Sequence, residues 1–405
     1  MSTELTDDRS GAFSEAPLKQ MHSVLRGHVD SGGLPGVVTL ISRRGEVDAK
    51  AIGSLAFGGT EPMQRDTIFR IASISKVITA VSAMILVEAG KLGLDDPINV
   101  FLPELANPKV LRRLDSGLDD TVPASRSITV RDLLSYRLGA GFTMEMFNGA
   151  LPIVKAINER LGPIGPMLPV VTPDEFMRRL GSLPLVFQPG ERFLYNTAGE
   201  VLSVLIARAS GQPLGEFMAE HIFKPLGMQD TGFFVPADKM DRLAEFYFND
   251  PATGTVELFD DPEDSRWALP PVFPSGAGGL VSTADDLLAF GRMLLNGGTL
   301  GDACILLPAT ITEMTTNQLT TEQKAGGFLP KDQGWGLGLC VDTGRDGQFR
   351  VPGRFGWDGG YGTSFAVDPE NELIGILLTQ KMWDSPVPPP VYVDFWTNVY
   401  AAIGK

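Results

Sequence analysis

Near the N-terminus the chain reads Phe69-Arg70-Ile71-Ala72-Ser73-Ile74-Ser75-Lys76, which contains its single S-x-x-K sequence. The segment that follows, up to Ala89, is apolar on nearly every face and ends at Gly90. A segment that is apolar all round predicts a buried central helix, and the glycine predicts where that helix ends. Because residues three apart on a helix share a face, we expect the Lys76 amine to lie within hydrogen-bond reach of the Ser73 hydroxyl.

This position favours a chemical role for both side chains. The first turn of a helix has free backbone N–H groups and the positive end of the helix dipole, and both stabilise a developing anion. A lysine in an apolar helix is costly unless its ammonium is paired or its pKa is lowered, and a general base needs a lowered pKa. Roughly one S-x-x-K is expected by chance in a chain of this composition, so the motif alone does not identify a site. Its position at the start of a buried helix is what supports the hypothesis that Ser73 is a nucleophile and Lys76 its base.

A serine–histidine–acid triad is harder to build from this sequence. The chain contains no G-x-S-x-G, and its three histidines, His22, His28 and His221, fall in predicted helices, where packing and surface roles are typical. None of them has the spacing of a metal site, so we expect no metal and no other cofactor. Lysine is then the candidate base.

Two later segments are candidates to complete the site. In Arg192-Phe193-Leu194-Tyr195-Asn196-Thr197 the tyrosine stands where a loop is predicted to meet a helix, although a tyrosine at such a junction is usually a packing residue. The second segment is Gly356-Trp357-Asp358-Gly359-Gly360-Tyr361-Gly362-Thr363-Ser364-Phe365. Glycines beside a strand let a substrate approach the backbone closely, but a tight bulge between two strands explains them as well.

Strand patterns lie near both ends of the chain, with mainly helical patterns between them. Strands are predicted over 37–41, 47–57, 334–341, 355–357, 364–367 and 373–379. Helices are predicted over 15–29, 74–89, 198–209, 282–294 and 391–403. We therefore predict an α+β fold with one antiparallel sheet built from both termini and flanked by helices, and a mostly helical lobe inserted in the middle.

The pattern also predicts how the chain is divided. Residues 1–14 form a disordered tail, residues 15–72 and 275–405 an α/β lobe, and residues 73–274 the helical lobe, all within one domain over 15–403. A cleft between two lobes is a usual place for an active site.

The composition and charge of the chain limit the classes of molecule that it is expected to bind. The 405 residues include 34 Lys+Arg and 49 Asp+Glu, a net charge of −15, which disfavours nucleic acid and anionic membrane surfaces. No apolar run is long enough for a membrane span. Met1–Ser14 is polar and acidic without the pattern of a secretory signal, so we expect a cytoplasmic protein in which Cys304 and Cys340 are reduced. The oligomeric state stays open.

Taken in order, these segments resemble the superfamily of class C β-lactamases and DD-peptidases, the penicillin-recognising serine hydrolases. The closest likeness is to its esterase branch, the family VIII carboxylesterases, and it extends from about Leu18 to Ile403. The matching segments are Phe69–Lys76, Asp132-Leu133-Leu134, Pro189-Gly190, Tyr195-Asn196-Thr197, Pro274-Ser275-Gly276-Ala277-Gly278-Gly279-Leu280 and Trp357-Asp358-Gly359-Gly360. The resemblance implies a β-lactamase/transpeptidase-like fold that uses no cofactor.

The resemblance also implies roles for individual residues. Ser73 corresponds to the nucleophile, Lys76 to its activating partner, and Tyr195 to the tyrosine of the Y-x-N motif, which relays the proton. The backbone N–H groups of Ser73 and Gly360 correspond to the oxyanion hole. The remaining substrate-binding positions are Trp357, Asp358, Gly359, Tyr361 and Thr197. We further expect burial to lower the pKa of Lys76 and a neighbouring ammonium to lower the pKa of Tyr195.

Two departures bear on the substrate. The lactamases carry lysine where this chain has Trp357 and asparagine where it has Thr197, and those side chains bind the antibiotic's carboxylate and amide. A tryptophan suits an uncharged ester, and family VIII esterases often carry W-x-G there. We therefore expect a serine carboxylesterase that hydrolyses short-chain, small-molecule esters. The alternatives are a β-lactamase or DD-peptidase-type amide hydrolase, an acyltransferase, and a catalytically silent binding protein on the same fold.

Overall fold

The structure, a computed structural model, describes residues 11–162, 167–345 and 349–404. Most of the predicted tail at 1–14 lies outside the described residues. The part inside them, residues 11–14, is not detached: Ala12 is buried, and the Ser14 N–H donates to the carbonyl of Ala402 at 2.8 Å. The predicted tail is therefore too long at its C-terminal end, because those residues bridge the two ends of the chain.

Fifteen strands occur in the described residues. They are β1 (Gly36–Arg43), β2 (Glu46–Gly53), β3 (Phe69–Arg70), β4 (Lys109–Leu111), β5 (Thr121–Pro123), β6 (Phe246–Asn249), β7 (Val256–Asp260), β8 (Val281–Ser282), β9 (Thr299–Leu300), β10 (Ala303–Cys304), β11 (Gln333–Trp335), β12 (Cys340–Asp342), β13 (Phe355–Gly359), β14 (Thr363–Asp368) and β15 (Leu373–Thr379). Seven of them form one antiparallel sheet in the order β11-β12-β13-β14-β15-β1-β2. The first two strands of the chain thus pair with its last five.

Twelve α-helices accompany these strands in the same described ranges. They are α1 (Glu15–Asp30), α2 (Ser75–Glu88), α3 (Val130–Leu134), α4 (Pro152–Arg160), α5 (Pro173–Gly181), α6 (Thr197–Ser210), α7 (Leu214–Met218), α8 (Lys224–Leu226), α9 (Ala284–Leu295), α10 (Pro308–Met314), α11 (Thr321–Lys324) and α12 (Pro390–Ala402). The predicted α+β fold, with its sheet from both termini and its helical middle, is confirmed. No helix in the described ranges has both the length and the apolar composition needed to cross a bilayer.

Helices cover both faces of the sheet. Alternate residues of a strand point to opposite faces, and in β1 the side chains of Val37 and Ile41 pack with those of α1 and α12, whereas Val38 and Leu40 join the larger core on the other side. Helix α9 packs on that second side against β15, β1 and β14. In the helical part α2 packs against α6, and both are buried along most of their length. Apolar packing of these central helices fixes the base of the site.

Two predicted strands differ from the observed ones. The second strand of the N-terminal hairpin ends at Gly53 instead of residue 57, because Gly53 has φ +86° and a side chain there would meet the Pro35 carbonyl oxygen at 2.3 Å. The single strand predicted over 334–341 is a hairpin of β11 and β12, in which Gln333 pairs with Asp342. Gly338, with φ +80°, lies in its turn. In both places the apolar pattern continues through a glycine whose backbone conformation ends the strand.

Candidate active site

Ser73 lies in a short 3-10 turn, Ala72–Ile74, immediately before α2. The predicted position was the first turn of the long helix, so the structure places the residue just outside it. Ala72 has φ +44°, a left-handed conformation that is uncommon for a residue with a side chain. The turn is held against the sheet because the hydroxyl of Thr363 in β14 donates to the Ile71 carbonyl at 3.0 Å.

Lys76 lies one turn along from Ser73 and is 2% exposed. Its Nζ donates to the Ser73 Oγ at 2.9 Å, to the Asn196 Oδ1 at 2.9 Å and to the Ala277 carbonyl at 2.5 Å. All three acceptors are uncharged, and no carboxylate among the described residues forms an ion pair with the amine. Burial therefore dominates and lowers the pKa of Lys76, as predicted, while the charge of Glu200 opposes that shift.

Tyr195 lies beside this pair. Its ring is 4.8 Å from the Lys76 Nζ, and its hydroxyl hydrogen-bonds with Ser73 and accepts the indole N–H of Trp357 at 2.6 Å. The expected lowering of its pKa is wrong: burial raises the pKa of Tyr195. The ring packs among Tyr136, Phe193 and Trp335, so a tyrosinate would be desolvated. The hydrogen bonds from Ser73 and Trp357 oppose this rise but do not outweigh the burial.

Strand β13 presents its successive side chains to opposite faces. Trp357 points toward Tyr195, and its hydrogen bond fixes the direction of the tyrosine hydroxyl. Asp358 points away from Ser73 and accepts a hydrogen bond from the Ser364 hydroxyl at 2.5 Å. The structure therefore does not bring the Asp358 side chain into the group around Ser73, because β13 is regular there and neighbouring residues alternate.

The two glycines after Asp358 have different surroundings. A Cβ on Gly359 would meet the Ile71 carbonyl oxygen at 2.5 Å and the Ala72 Cβ at 3.2 Å, so glycine allows β13 to pack against the turn that carries Ser73. Gly359 is thus a close-packing position. A Cβ on Gly360 would have open space within 4 Å, so the backbone there is not covered on its Cβ side.

Thr197 and Tyr361 border the site from two sides. Thr197 is the first residue of α6 and lines an apolar pocket. Tyr361 is 1% exposed and lines a smaller pocket that also contains Ser73, although most of its ring contacts are with Phe246 and Trp267 in the core. The three histidines lie elsewhere: His22 and His28 bond to carboxylates near α1, and His221 packs on Phe217.

Two side chains next to Ser73 were missed at the sequence level. Asn196, which has φ +76°, accepts a hydrogen bond from Lys76 through its side chain. Glu200 is 4% exposed on α6 and accepts a hydrogen bond from the Ser275 hydroxyl at 2.9 Å. Burial raises the pKa of Glu200, and the nearby Lys76 opposes the rise. A charged residue within the mainly apolar segment 198–206 was the available signal.

An apolar pocket of about 160 Å³ adjoins this group. It lies between α4, α5 and the start of α6, with Asn196, Thr197 and Glu200 at one end. The smaller pocket that contains Ser73 has a volume of about 20 Å³ and shares Met167, Leu168, Asn196 and Glu200 with it. The two pockets are therefore contiguous. Among the described residues that line them there is no lysine or arginine.

Comparison with known proteins agrees with this geometry. Residues 21–388 match the Beta-lactamase family. The chain is 40% identical over 365 residues to Protein Rv1367c of Mycobacterium tuberculosis, covering 88% of each protein. It is 32% identical over 389 residues to Esterase EstB of Burkholderia gladioli, covering 91% of each.

Solved structures extend the comparison to the fold. EstCE1, described as a hydrolase with promiscuous acyltransferase activity, superposes with a TM-score of 0.78 at 28% identity and covers 95% of this chain and 98% of its own. Simvastatin Synthase (LovD) from Aspergillus terreus shares the fold at a TM-score of 0.75 and 22% identity, covering 96% and 99%. The chain therefore belongs to the Beta-lactamase family and is a serine hydrolase built on its fold.

Proposed function

We propose that this hydrolase is a carboxylesterase that acts through a Ser73 acyl-enzyme. The observation that carries the proposal is the contact of 2.9 Å between the Lys76 Nζ and the Ser73 Oγ, made by a buried lysine without an ion-pair partner. Such an amine is neutral at a lower pH than a free lysine and can accept the serine proton.

In the first half-reaction Lys76 accepts the Ser73 proton while Oγ bonds to the ester carbonyl carbon. The carbonyl oxygen becomes negative, and we assign the backbone N–H groups of Ser73 and Gly360 to it. The C–O bond to the alcohol then breaks, and Lys76 and Tyr195 together return the proton to the alcohol oxygen. Because burial keeps the Tyr195 hydroxyl protonated, Tyr195 relays this proton and Lys76 is the resting base.

Charge at the site favours an uncharged ester over a penicillin or a D-alanyl peptide. Those substrates carry a carboxylate, and the described residues lining the two pockets offer no lysine or arginine to bind it. They include Glu200, whose carboxyl group would repel a substrate anion when ionised. Trp357 is uncharged, and its N–H is already bonded to the Tyr195 hydroxyl, so it does not replace a cation. The esterase relative, EstB, supports the same choice.

The first test compares substrate classes. Wild-type protein is expected to hydrolyse short-chain p-nitrophenyl esters with a kcat/KM at least about 100-fold higher than for a chromogenic cephalosporin. A loss of at least this size is expected when a charged group of the substrate has no partner in the site. Release of nitrophenol and opening of the lactam are both followed by absorbance. A cephalosporin kcat/KM equal to that of the best ester would overturn the esterase proposal and leave the family assignment intact.

The apolar pocket is proposed to hold the acyl chain. Ile157 lines it from α4, so Ile157→Phe adds bulk to the pocket while keeping the residue apolar. The expected result is a loss of about tenfold in kcat/KM for p-nitrophenyl octanoate and little change for the acetate, since only the longer chain reaches the pocket. Ile157→Val is the control. Equal losses on both esters, or a loss that follows the alcohol instead of the acyl group, would contradict this assignment.

A further inference from the structure

Glu200 has an unusual hydrogen-bonding state for a buried carboxyl group. Its Oε1 accepts the Ser275 hydroxyl, but its Oε2 is buried and has no hydrogen-bond partner among the described residues. Buried polar atoms are nearly always paired, because an unpaired one loses its bond to water without replacement. An unpaired carboxyl oxygen in the pocket that contains the candidate nucleophile is free to accept a hydrogen bond from a small molecule there.

The pocket next to Glu200 limits the size of the molecule that can bond to Oε2. The side chain lines the small pocket that also contains Ser73 and Asn196. That pocket has a volume of about 20 Å³, and a water molecule requires roughly 10–15 Å³ on the same measure together with at least two polar contacts. Ser73, Asn196 and Glu200 supply polar atoms around it. The pocket therefore suits a water next to the serine.

A water at this place has a defined role in ester hydrolysis. After the alcohol has left, the acyl-enzyme must be attacked by water at the carbonyl carbon that is bonded to the Ser73 Oγ. The attacking oxygen must be held close to that carbon with a lone pair directed at it, because orientation of this kind lowers the barrier to the attack. A carboxylate oxygen that accepts one water hydrogen holds the water in such a way.

Resting on the proposed esterase function, we propose that Glu200 binds and orients the water that hydrolyses the Ser73 acyl-enzyme. The water oxygen bonds to the acyl carbon while one of its protons passes to Lys76 and Tyr195. These residues then return that proton to the Ser73 Oγ as the bond from Oγ to the acyl carbon breaks, which releases the carboxylic acid. Glu200 contacts a reacting molecule in this second half-reaction only.

The charge of Glu200 also affects Lys76 in a direction that can be tested. An ionised Glu200 raises the pKa of Lys76, so its removal lowers that pKa further and leaves more of the amine neutral. Acylation in a Glu200→Gln variant is then expected to proceed at the wild-type rate or slightly faster. The acylation rate of this variant is expected to rise with pH at lower pH values than that of the wild type.

The experiment separates the two half-reactions. In stopped-flow hydrolysis of p-nitrophenyl butyrate, Glu200→Gln is expected to show a burst of about one equivalent of nitrophenol, while steady-state turnover falls by roughly 100-fold, the scale of a misplaced reactant. Intact-protein mass spectrometry is expected to show acylated Ser73 accumulating. Hydroxylamine, a stronger nucleophile that needs less orientation, is expected to discharge that acyl group.

Further variants keep the proposal open to contradiction. Glu200→Asp withdraws the carboxylate by one methylene and is expected to slow deacylation without slowing acylation, which covers the case in which the glutamine variant does not fold. Glu104→Gln is the control. Glu104 pairs with Arg208 of α6, the helix that also carries Glu200, and its removal is expected to leave both steps unchanged. Equal slowing of acylation and deacylation, or no slowing of either, would overturn the role of Glu200. Absence of ester turnover in the wild type would instead overturn the proposed function.

Discussion

Ser73→Ala is expected to lower kcat for p-nitrophenyl ester hydrolysis by roughly 10⁴-fold or more, the scale seen when the nucleophile of a serine hydrolase is removed. The reason is that no acyl-enzyme can form without Oγ. The fold should persist, because Lys76 keeps its bonds to Asn196 and Ala277. The variant loses only the two hydrogen bonds of the Ser73 hydroxyl, to Lys76 and to Tyr195, each worth about 1 kcal/mol. Initial rates and thermal unfolding check the two expectations.

The matched control for this prediction is Ser82→Ala. Ser82 is a buried serine of α2, and among the described residues its hydroxyl hydrogen-bonds to the Ile78 carbonyl in its own helix. Ser75 is less suitable, because its Oγ accepts the buried N–H of Leu280, which an alanine would leave unpaired. A fluorophosphonate probe adds a second measurement: it should label the wild type and not Ser73→Ala. Turnover that survives in Ser73→Ala, with unfolding unchanged, would mean that the nucleophile is another residue. A wild type that resists labelling would favour a silent binding protein.

Lys76→Met and Tyr195→Phe are each expected to lower kcat by at least about 100-fold, and the double variant is expected to be little worse than either single one. The two side chains contact the same hydroxyl and move the same proton, so removal of either interrupts the transfer. Methionine keeps most of the lysine stem and limits the cavity that alanine would leave. Rates on one ester, measured for all four proteins, give the coupling between the two residues.

The pH profile supplies a further readout for the same pair. Because burial lowers the pKa of Lys76, the neutral amine that accepts the proton is present well below the pH at which a free lysine loses its charge. Wild-type activity should therefore rise with pH through that lowered pKa, and Lys76→Met should lose this rise. Tyr400→Phe is the control for Tyr195→Phe, since Tyr400 lies in α12 and its hydroxyl donates to Asp368 of β14. Near-normal turnover in Tyr195→Phe would reduce Tyr195 to a packing residue.

Several features of the site were predictable because they are local. The separation of Ser73 and Lys76 by three residues places one above the other whether the backbone is α-helical or begins with a 3-10 turn, so the contact of 2.9 Å was predictable although the turn was not. The apolar segment up to Glu88 similarly predicted a buried helix, and Gly90 its end. Errors arose where glycines interrupt apolar runs, as at Gly53 and Gly338.

The orientation of side chains in β13 was not predictable in the same way. The motif Trp357-Asp358-Gly359 was interpreted as a set of substrate contacts, yet only alternate residues of a strand face the same side. Trp357 bonds Tyr195, Asp358 bonds Ser364 on the opposite face, and Gly359 packs against the turn before Ser73. Which face of β13 meets Ser73 depends on the position of β13 in the sheet.

The sequence by itself determined the fold class, the arrangement of sheet and helical middle, and the Ser73–Lys76 pair, because each depends on hydrophobic period or on a spacing of a few residues. Tertiary structure decided the other partners of Lys76, the direction of Trp357, the raised pKa of Tyr195 and the place of Glu200. The physical reason is distance along the chain: Lys76 and Asn196 are 120 residues apart, and Tyr195 and Trp357 are 162 apart. Burial and hydrogen bonding between such segments exist only once the core has packed, and no local pattern encodes them.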